Sequence, residues 1–499
     1  ALPVSISRTL RDPDHVVTYV NQAGTTITAP RDVMLTVFAP DRPGTYPVIV
    51  YSHGQGGSGG ANGGSGTTAQ ALANLGYIVI LPTHLDSVGN YPSWLTSQFP
   101  IDNPASGLHR AADMQFALDM AQTLVTGLSG YTVDLSSPVV AGHSHGAFTA
   151  ALLAGLDSDR PGYANPPVGN AYGLTSVADP RFQAAILLSP QGEESSWANL
   201  TSTSWDDIVV PLLTITGTAD TELGGLTDWN GRLDGFRNGD AAQSYALVYR
   251  DAAHSDIGGN TAIPGLTASI AGFIDRFIDG HLGGDAAARA TFADPVALLN
   301  AHPLLTQAYV RLMAGTAGTG ALVGTSGADT LTGLSSEDAL FGGAGDDRLE
   351  GGPGHDLIDG GPGRDTLWVQ GSRADYRLLT AGDDFILKGP DGGDWLTGVE
   401  VIRFSNGGEI DLSRMYDRGF DGPQVLPGLP DESDDWGKEP TPLVQPADLD
   451  RSTLQEDGPA HPGSNARERV IALLGDQGVT GADPTFGWRS SASDPDPWV

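Results

Sequence analysis

Gly142-His143-Ser144-His145-Gly146 follows the apolar run Pro138–Ala141 and precedes an alanine- and leucine-rich stretch from Ala147 to Leu156. A strand that turns sharply into a helix across Gly-x-Ser-x-Gly lifts the serine hydroxyl above the sheet, where a base can reach it. The five-residue pattern alone is weak in a chain with 68 glycines. Its apolar flanks make Ser144 a candidate nucleophile. Such a nucleophile needs an acid and a base at the ends of later strands. The run VVPLLTITG ends in Thr218-Ala219-Asp220, and YALVYR ends in Asp251-Ala252-Ala253-His254. Asp220 is therefore the expected acid, with Glu222 in reserve, and His254 the expected base. All three residues would sit at carboxyl ends of parallel strands, where open α/β sheets build their sites. The run PVIVYS enters His53-Gly54-Gln55. The exposed backbone of that turn can donate an N–H to a developing oxyanion, and the N–H of His145 is its natural companion. No Gly-Lys-Ser/Thr ending follows, which argues against a phosphate-binding loop.

A second chemistry lies in five nine-residue units in unbroken register: GTSGADTLT, GLSSEDALF, GGAGDDRLE, GGPGHDLID and GGPGRDTLW, from residue 324 to 368. Glycine permits the left-handed turns of a compact loop. Asp329, Asp338, Asp347, Asp356 and Asp365 occupy the sixth position of each unit. Their carboxylates can turn toward a cation between successive turns, pairing residues two units apart, such as Asp338 with Asp356 and Asp347 with Asp365. Oxygen donors suit calcium. The second unit has lost two glycines, which weakens its site.

The elements that must position these groups divide the chain. Residues 1–285 alternate short apolar strands with helices (GLHRAADMQFALDMAQTLV, GLTASIAGFIDRFIDGHL), the pattern of a parallel sheet covered on both faces. Residues 286–320 read as a bridging helical segment. Residues 321–417 hold the repeats and companion strands, and 418–499 form an acidic Pro/Gly-rich tail expected to be poorly ordered.

Formal charge is −34, with 60 acidic against 26 basic residues. That balance disfavours nucleic acid and anionic lipid surfaces as partners and favours cations. Cysteine is absent, so disulfides and thiolate chemistry are excluded. No apolar run is long enough for a transmembrane helix. His53, His84, His109 and the His143/His145 pair invite a metal reading. The latter two flank the turn and should point apart, and no acids or cysteines stand at ligand spacing.

The repeats resemble the calcium-binding repeat-in-toxin (RTX) β-roll. That resemblance implies structural calcium, an extracellular location and export by a type I secretion apparatus. PVIVYSHGQGGS, RAADMQFALDM, VVAGHSHGAFTA, DPRFQAAILLSPQG, VPLLTITGTAD and AAHSDI, in this order, resemble α/β-hydrolases of the dienelactone hydrolase and platelet-activating-factor acetylhydrolase-like group. The resemblance implies a doubly wound, mostly parallel sheet. It also implies a serine carboxylic-ester hydrolase with Ser144, Asp220 and His254 as triad, Gln55 and His145 as oxyanion donors, and no catalytic cofactor. Ala147 departs from the pattern, where many members have a second glycine. Tyr91, Trp94, Phe99, Trp197 and Trp205 in the loops suggest an apolar acyl or aryl group. The rivals are a phospholipid acyl hydrolase, a polyester or phthalate-type diester hydrolase and, outside catalysis, a calcium-dependent adhesin or surface-layer protein.

Overall fold

The structure is a computed structural model that describes residues 3–413 apart from short gaps, the longest being 158–176, 194–197, 222–228 and 312–318. Glu222, Trp197 and the tail 418–499 lie outside the described residues. The chain divides into two units, residues 1–430 and 431–499, and every described strand and helix belongs to the first.

Strands β1 (Val4–Val20), β2 (Thr26–Ala39), β3 (Thr45–Ser52), β4 (Ile78–Thr83), β5 (Thr132–His143), β6 (Ala184–Leu188), β7 (Leu212–Ala219) and β8 (Ser244–Ala253) form one sheet in the order β1-β2-β4-β3-β5-β6-β7-β8. From β4 to β8 every pairing is parallel. Helices Pro104–Asp119 and His145–Ala154 pack together against β3 and β5, whereas Gly64–Asn74 and Leu266–His281 pack together against β4 and β7. β4 and β6 are buried at every residue, which is why their sequences are continuously apolar rather than alternating. The expected large, parallel-rich sheet is present. The sequence reading misses β1, a long, largely exposed strand whose hairpin with β2 extends the sheet.

The bridging segment departs from expectation. Its helices end at Asn300, and Leu305–Arg311 forms β9, antiparallel to β8, followed by β10 (Thr319–Val323), antiparallel to β9. Thr306, Ala308 and Val310 alternate with Gln307 and Tyr309, and burial on both faces of the strand hides the two-residue period.

The repeats then wind between two sheets. β12 (Ala339–Phe341) and β14 (Leu357–Asp359) extend the first sheet in parallel from β10, while β11 (Thr330–Thr332), β13 (Arg348–Glu350) and β15 (Thr366–Val369) form a second. A hairpin of β16 (Arg377–Ala381) and β17 (Asp384–Gly389) comes next. β18 (Gly392–Thr397) then returns to β14, and β19 (Val401–Phe404) with β20 (Glu409–Asp411) returns to β15. These C-terminal strands are consistent with a β-roll. One apolar core joins Leu233, Phe236, Val248 and Tyr309 to Leu340, Leu349, Ile358 and Leu367. The repeat coil therefore shares its interior with the parallel sheet.

Candidate functional site

Ser144 has φ 55 and ψ −123. A non-glycine residue in that region costs of order 1–3 kcal/mol and persists only where its surroundings hold it. They do. The Ser144 N–H donates to the Leu188 carbonyl at 2.9 Å. A side chain on Gly142 would collide with Gly146, and one on Gly146 with Ser52, so both glycines of the motif are demanded by close approach.

Asp220 and His254 come together at the ends of β7 and β8. His254 Nδ1 donates to Asp220 Oδ1 at 2.8 Å, and Thr216 Oγ1 donates to Oδ2 at 2.8 Å. The nitrogen Nδ1 thus carries the proton, which leaves Nε2 basic; buried, it has no hydrogen-bond partner among the described residues. Burial alone would raise the Asp220 carboxyl. The His254 bond and the Arg232 charge outweigh it and hold Asp220 at about 2.

His143, next to Ser144, donates from Nε2 to the His254 carbonyl at 2.8 Å, and the two rings lie 4.7 Å apart. Burial, then the neighbouring His254, lowers His143 to about 3, so it remains a neutral strut between the nucleophile's turn and the base.

Sequence reasoning misses Arg232. Its guanidinium is buried, with Nη2 3.1 Å from Asp220 Oδ1 and Nη1 donating to Pro190 O at 3.0 Å. Because Nδ1 of His254 already donates to Asp220, the 3.3 Å approach of Arg232 Nη2 to it is a contact rather than a hydrogen bond. Only the fold, which carries position 232 to the end of β7, reveals this arginine; nothing in the spacing around it marks it.

The Gln55 loop runs beside the serine: a Cβ on Gly54 would lie 3.5 Å from Ser144 Cβ. Arg110 clamps that loop, donating to His53 O at 2.6 Å and Gly54 O at 3.2 Å while paired to Asp86 at 2.7 Å; Asp86 in turn accepts from Gly56 N–H at 3.1 Å. His145 Nδ1 donates to Gln55 Oε1 at 2.7 Å. The fully buried His145 ring therefore orients Gln55.

His84 and the His15–His109 pair have polar partners. His84 Nδ1 donates to Asp113 Oδ2 at 3.0 Å and its Nε2 meets Ser52 Oγ at 2.9 Å; His15 and His109 nitrogens lie 2.6 Å apart, with Arg31 on Asp113. The Arg31 charge opposes a metal there. Among the described residues no three His, Asp or Glu side chains are grouped to hold a metal.

The expected pocket aromatics are largely structural. Phe99 packs with Val17, Leu85 and Leu95, Trp205 lies in the main core, and the Tyr91 hydroxyl accepts from Arg31 at 3.0 Å. The exposed apolar side chain beside the Gln55 loop is Val88, whose N–H donates to Gly56 O.

In the repeats, Asp347 Oδ1 accepts Asp329 N–H at 2.7 Å, Asp356 Oδ1 accepts Asp338 N–H at 2.9 Å and Asp365 Oδ1 accepts Asp347 N–H at 2.8 Å. The expected pairing two units apart is therefore a stacked ladder. Among the described residues the second oxygens of Asp347, Asp356 and Asp365 are buried and accept no N–H. Burial pushes Asp338 up to about 8 and Asp356 and Asp365 up to about 7. Orphaned, desolvated carboxylate oxygens fit a hard cation. Residues 315–349 and 332–367 each match the family described as RTX calcium-binding nonapeptide repeat (4 copies). These are RTX calcium-binding repeats. No curated protein matches the chain. The RTX aspartates would hold calcium together with loop carbonyls, and the ion supplies the positive charge that the ladders lack. RTX repeats are typical of secreted bacterial proteins, and among the described residues no helix is long and apolar enough to cross a membrane.

Proposed function

We propose that the chain is a secreted serine carboxylic-ester hydrolase, exported by a type I apparatus, with a calcium-loaded roll behind its catalytic sheet. The observation that carries this reading is the strained Ser144 turn, tied through His143 to a buried His254–Asp220 pair whose Nε2 accepts no hydrogen bond among the described residues. In this reading His254 Nε2 takes the proton as Ser144 Oγ attacks the ester carbonyl, and Asp220 stabilises the imidazolium. The N–H groups of Gln55 and His145 receive the oxyanion, each such donor being worth about 2.7–4 kcal/mol of transition-state stabilisation. His254 returns its proton to the leaving alcohol. Water, deprotonated by the same nitrogen, then hydrolyses the acyl-enzyme.

Support for preorganisation comes from Arg110 and Asp86, which fix the Gln55 loop before substrate arrives, and from His143, which ties the serine turn to the base. The exposed Val88 beside the Gln55 loop supports an apolar acyl or aryl group. The test is a panel of p-nitrophenyl esters of graded chain length with an aryl diester and an insoluble polyester, run on the wild type and Ser144→Ala. Hydrolysis by the wild type alone supports the reading, and the preferred ester separates lipid from polyester substrates. Equal, background rates for both proteins would leave the calcium-dependent adhesin as the better reading.

A further inference from the structure

The nonapeptide pattern breaks in sequence after Trp368, yet the coil continues. β18 pairs in parallel with β14, setting Leu357 opposite Trp395 and Ile358 opposite Leu396. β19 pairs in parallel with β15, setting Leu367 opposite Ile402. Aligned on that register, Gly389-Pro390-Asp391-Gly392-Gly393-Asp394-Trp395-Leu396-Thr397 is a further unit. It keeps Gly at the first and fourth positions, Asp at the sixth and Leu at the eighth. Asp394 stands 38 residues from Asp356, whereas the repeat aspartates stand 18 apart. The β16–β17 hairpin fills the excess and hides the unit from a search for period nine.

The local geometry repeats as well. Asp394 Oδ1 accepts Asp356 N–H at 3.2 Å, as Asp356 Oδ1 accepts from Asp338. Gly392 has φ 146, and a Cβ on it would collide with the Gly354 carbonyl one turn away, so the loop needs glycine there as the repeat loops do. On the other ladder Glu400 Oε2 accepts Asp365 N–H at 2.7 Å and takes the place of a further aspartate.

Asp356 and Asp394 are both more than nine-tenths buried. Among the described residues Asp356 Oδ2 accepts no N–H, and it lies over Gly351, where any side chain would strike it, so it sits inside the loop 351–356. The neighbouring Asp391 is engaged elsewhere, its Oδ2 2.8 Å from the Tyr376 hydroxyl of the intervening segment. Two carboxyls withdrawn from water so close together either share one proton or hold a cation between them.

We propose that the loops 351–356 and 389–394 hold an additional calcium ion between the carboxylates of Asp356 and Asp394, beyond the matched repeats that end at residue 367. Two side chains and loop carbonyls supply the oxygens, although among the described residues no group of three acidic or histidine side chains gathers there. The hairpin then acts as a clasp on this last site: Trp395 Nε1 donates to Asp384 Oδ2 at 3.1 Å and Thr397 Oγ1 to Asp384 Oδ1 at 2.9 Å.

The test is calcium stoichiometry of the full chain by equilibrium dialysis and elemental analysis, with terbium as a luminescent probe. Asp394→Asn should bind one calcium fewer per chain while its circular dichroism in calcium matches the wild type. Trp395→Phe leaves every carboxylate in place. It should keep the wild-type stoichiometry but lose the indole-sensitised terbium emission arising from this site, which keeps the proposal testable if Asp394→Asn does not fold. Unchanged calcium stoichiometry in Asp394→Asn overturns the proposal. So does loss of all calcium together, because position 394 would then act only through folding. Undiminished terbium emission in Trp395→Phe also overturns it.

Discussion

Asp86 and Asp220 in the parallel sheet and Asp338, Asp356 and Asp365 in the roll are all withdrawn from water, yet their carboxyls move in opposite directions. Beside Asp86 and Asp220 stand Arg110 and Arg232, and despite burial both carboxyls fall below the ordinary range. In the roll, burial dominates and the neighbours are more aspartates, so the carboxyls rise to between about 7 and 8. One region carries its own counterions; the other must import them. The difference is one of placement: the roll has arginines, but Arg348 pairs with Glu350 and Arg403 with Glu409 rather than with the ladder aspartates. It also fixes which region can be switched by solution conditions.

The largest contrast between the two regions should come from the triad. Ser144→Ala or His254→Ala should lower ester kcat by roughly 10⁴–10⁶ with the melting temperature nearly unchanged. Asp220→Asn should cost about 10⁴ through the wrong imidazole tautomer. If Asp220→Asn retains near wild-type rates, the self-compensated dyad is not a catalytic pair.

Next in size is the response to pH without calcium. The roll aspartates have raised folded-state values, so their contribution is fully present below about 4, their ordinary unfolded value. It is lost as pH rises through 7 to 8. Asp220, depressed to about 2, contributes above about 4 and is lost as pH falls toward 2. In chelator, raising pH from 5 to 8 should therefore loosen the roll first, read by hydrogen exchange over 324–404, while β3–β7 stay protected. Saturating calcium should abolish that loosening. Uniform exchange of both regions would contradict the division.

Smaller effects locate the boundary. Phe236, stacked under Arg311 at 5.0 Å and buried with the roll leucines, ties the regions together. Phe236→Ala should destabilise the chain by about 3–5 kcal/mol in thermal unfolding and make the two regions melt separately. A chain ending at Arg311 should keep ester hydrolysis per folded molecule without calcium, at a lower melting temperature, because β9 becomes an edge and loses its roll neighbours. Arg232→Met should lower kcat more than it raises KM, with Arg232→Lys intermediate; equal losses in both variants accompanied by unfolding would make its role purely structural.

The legible parts of the molecule are those written in local pattern. Strand–Gly-x-Ser-x-Gly–helix places Ser144, strand ends place Asp220 and His254, and unbroken register places the five aspartates. The parts that escape lie in contacts between distant segments. Arg232, Arg110 and Asp86 sit in loops or on a helix with no spacing that points to the serine. Residues 305–311 read as helix because both faces of β9 are buried, which erases alternation. The additional unit at 389–397 escapes because a hairpin interrupts the period, and only the pairing of β18 with β14 restores it.

Whether Ser144 is an activated nucleophile decides the catalytic reading, and labelling of the full chain with a fluorophosphonate, followed by peptide mass spectrometry, asks this of the serine itself. A single adduct on Ser144 is expected, abolished by His254→Ala and formed with or without calcium while β3–β8 remain folded. An unlabelled protein, or an adduct on another serine, would contradict it.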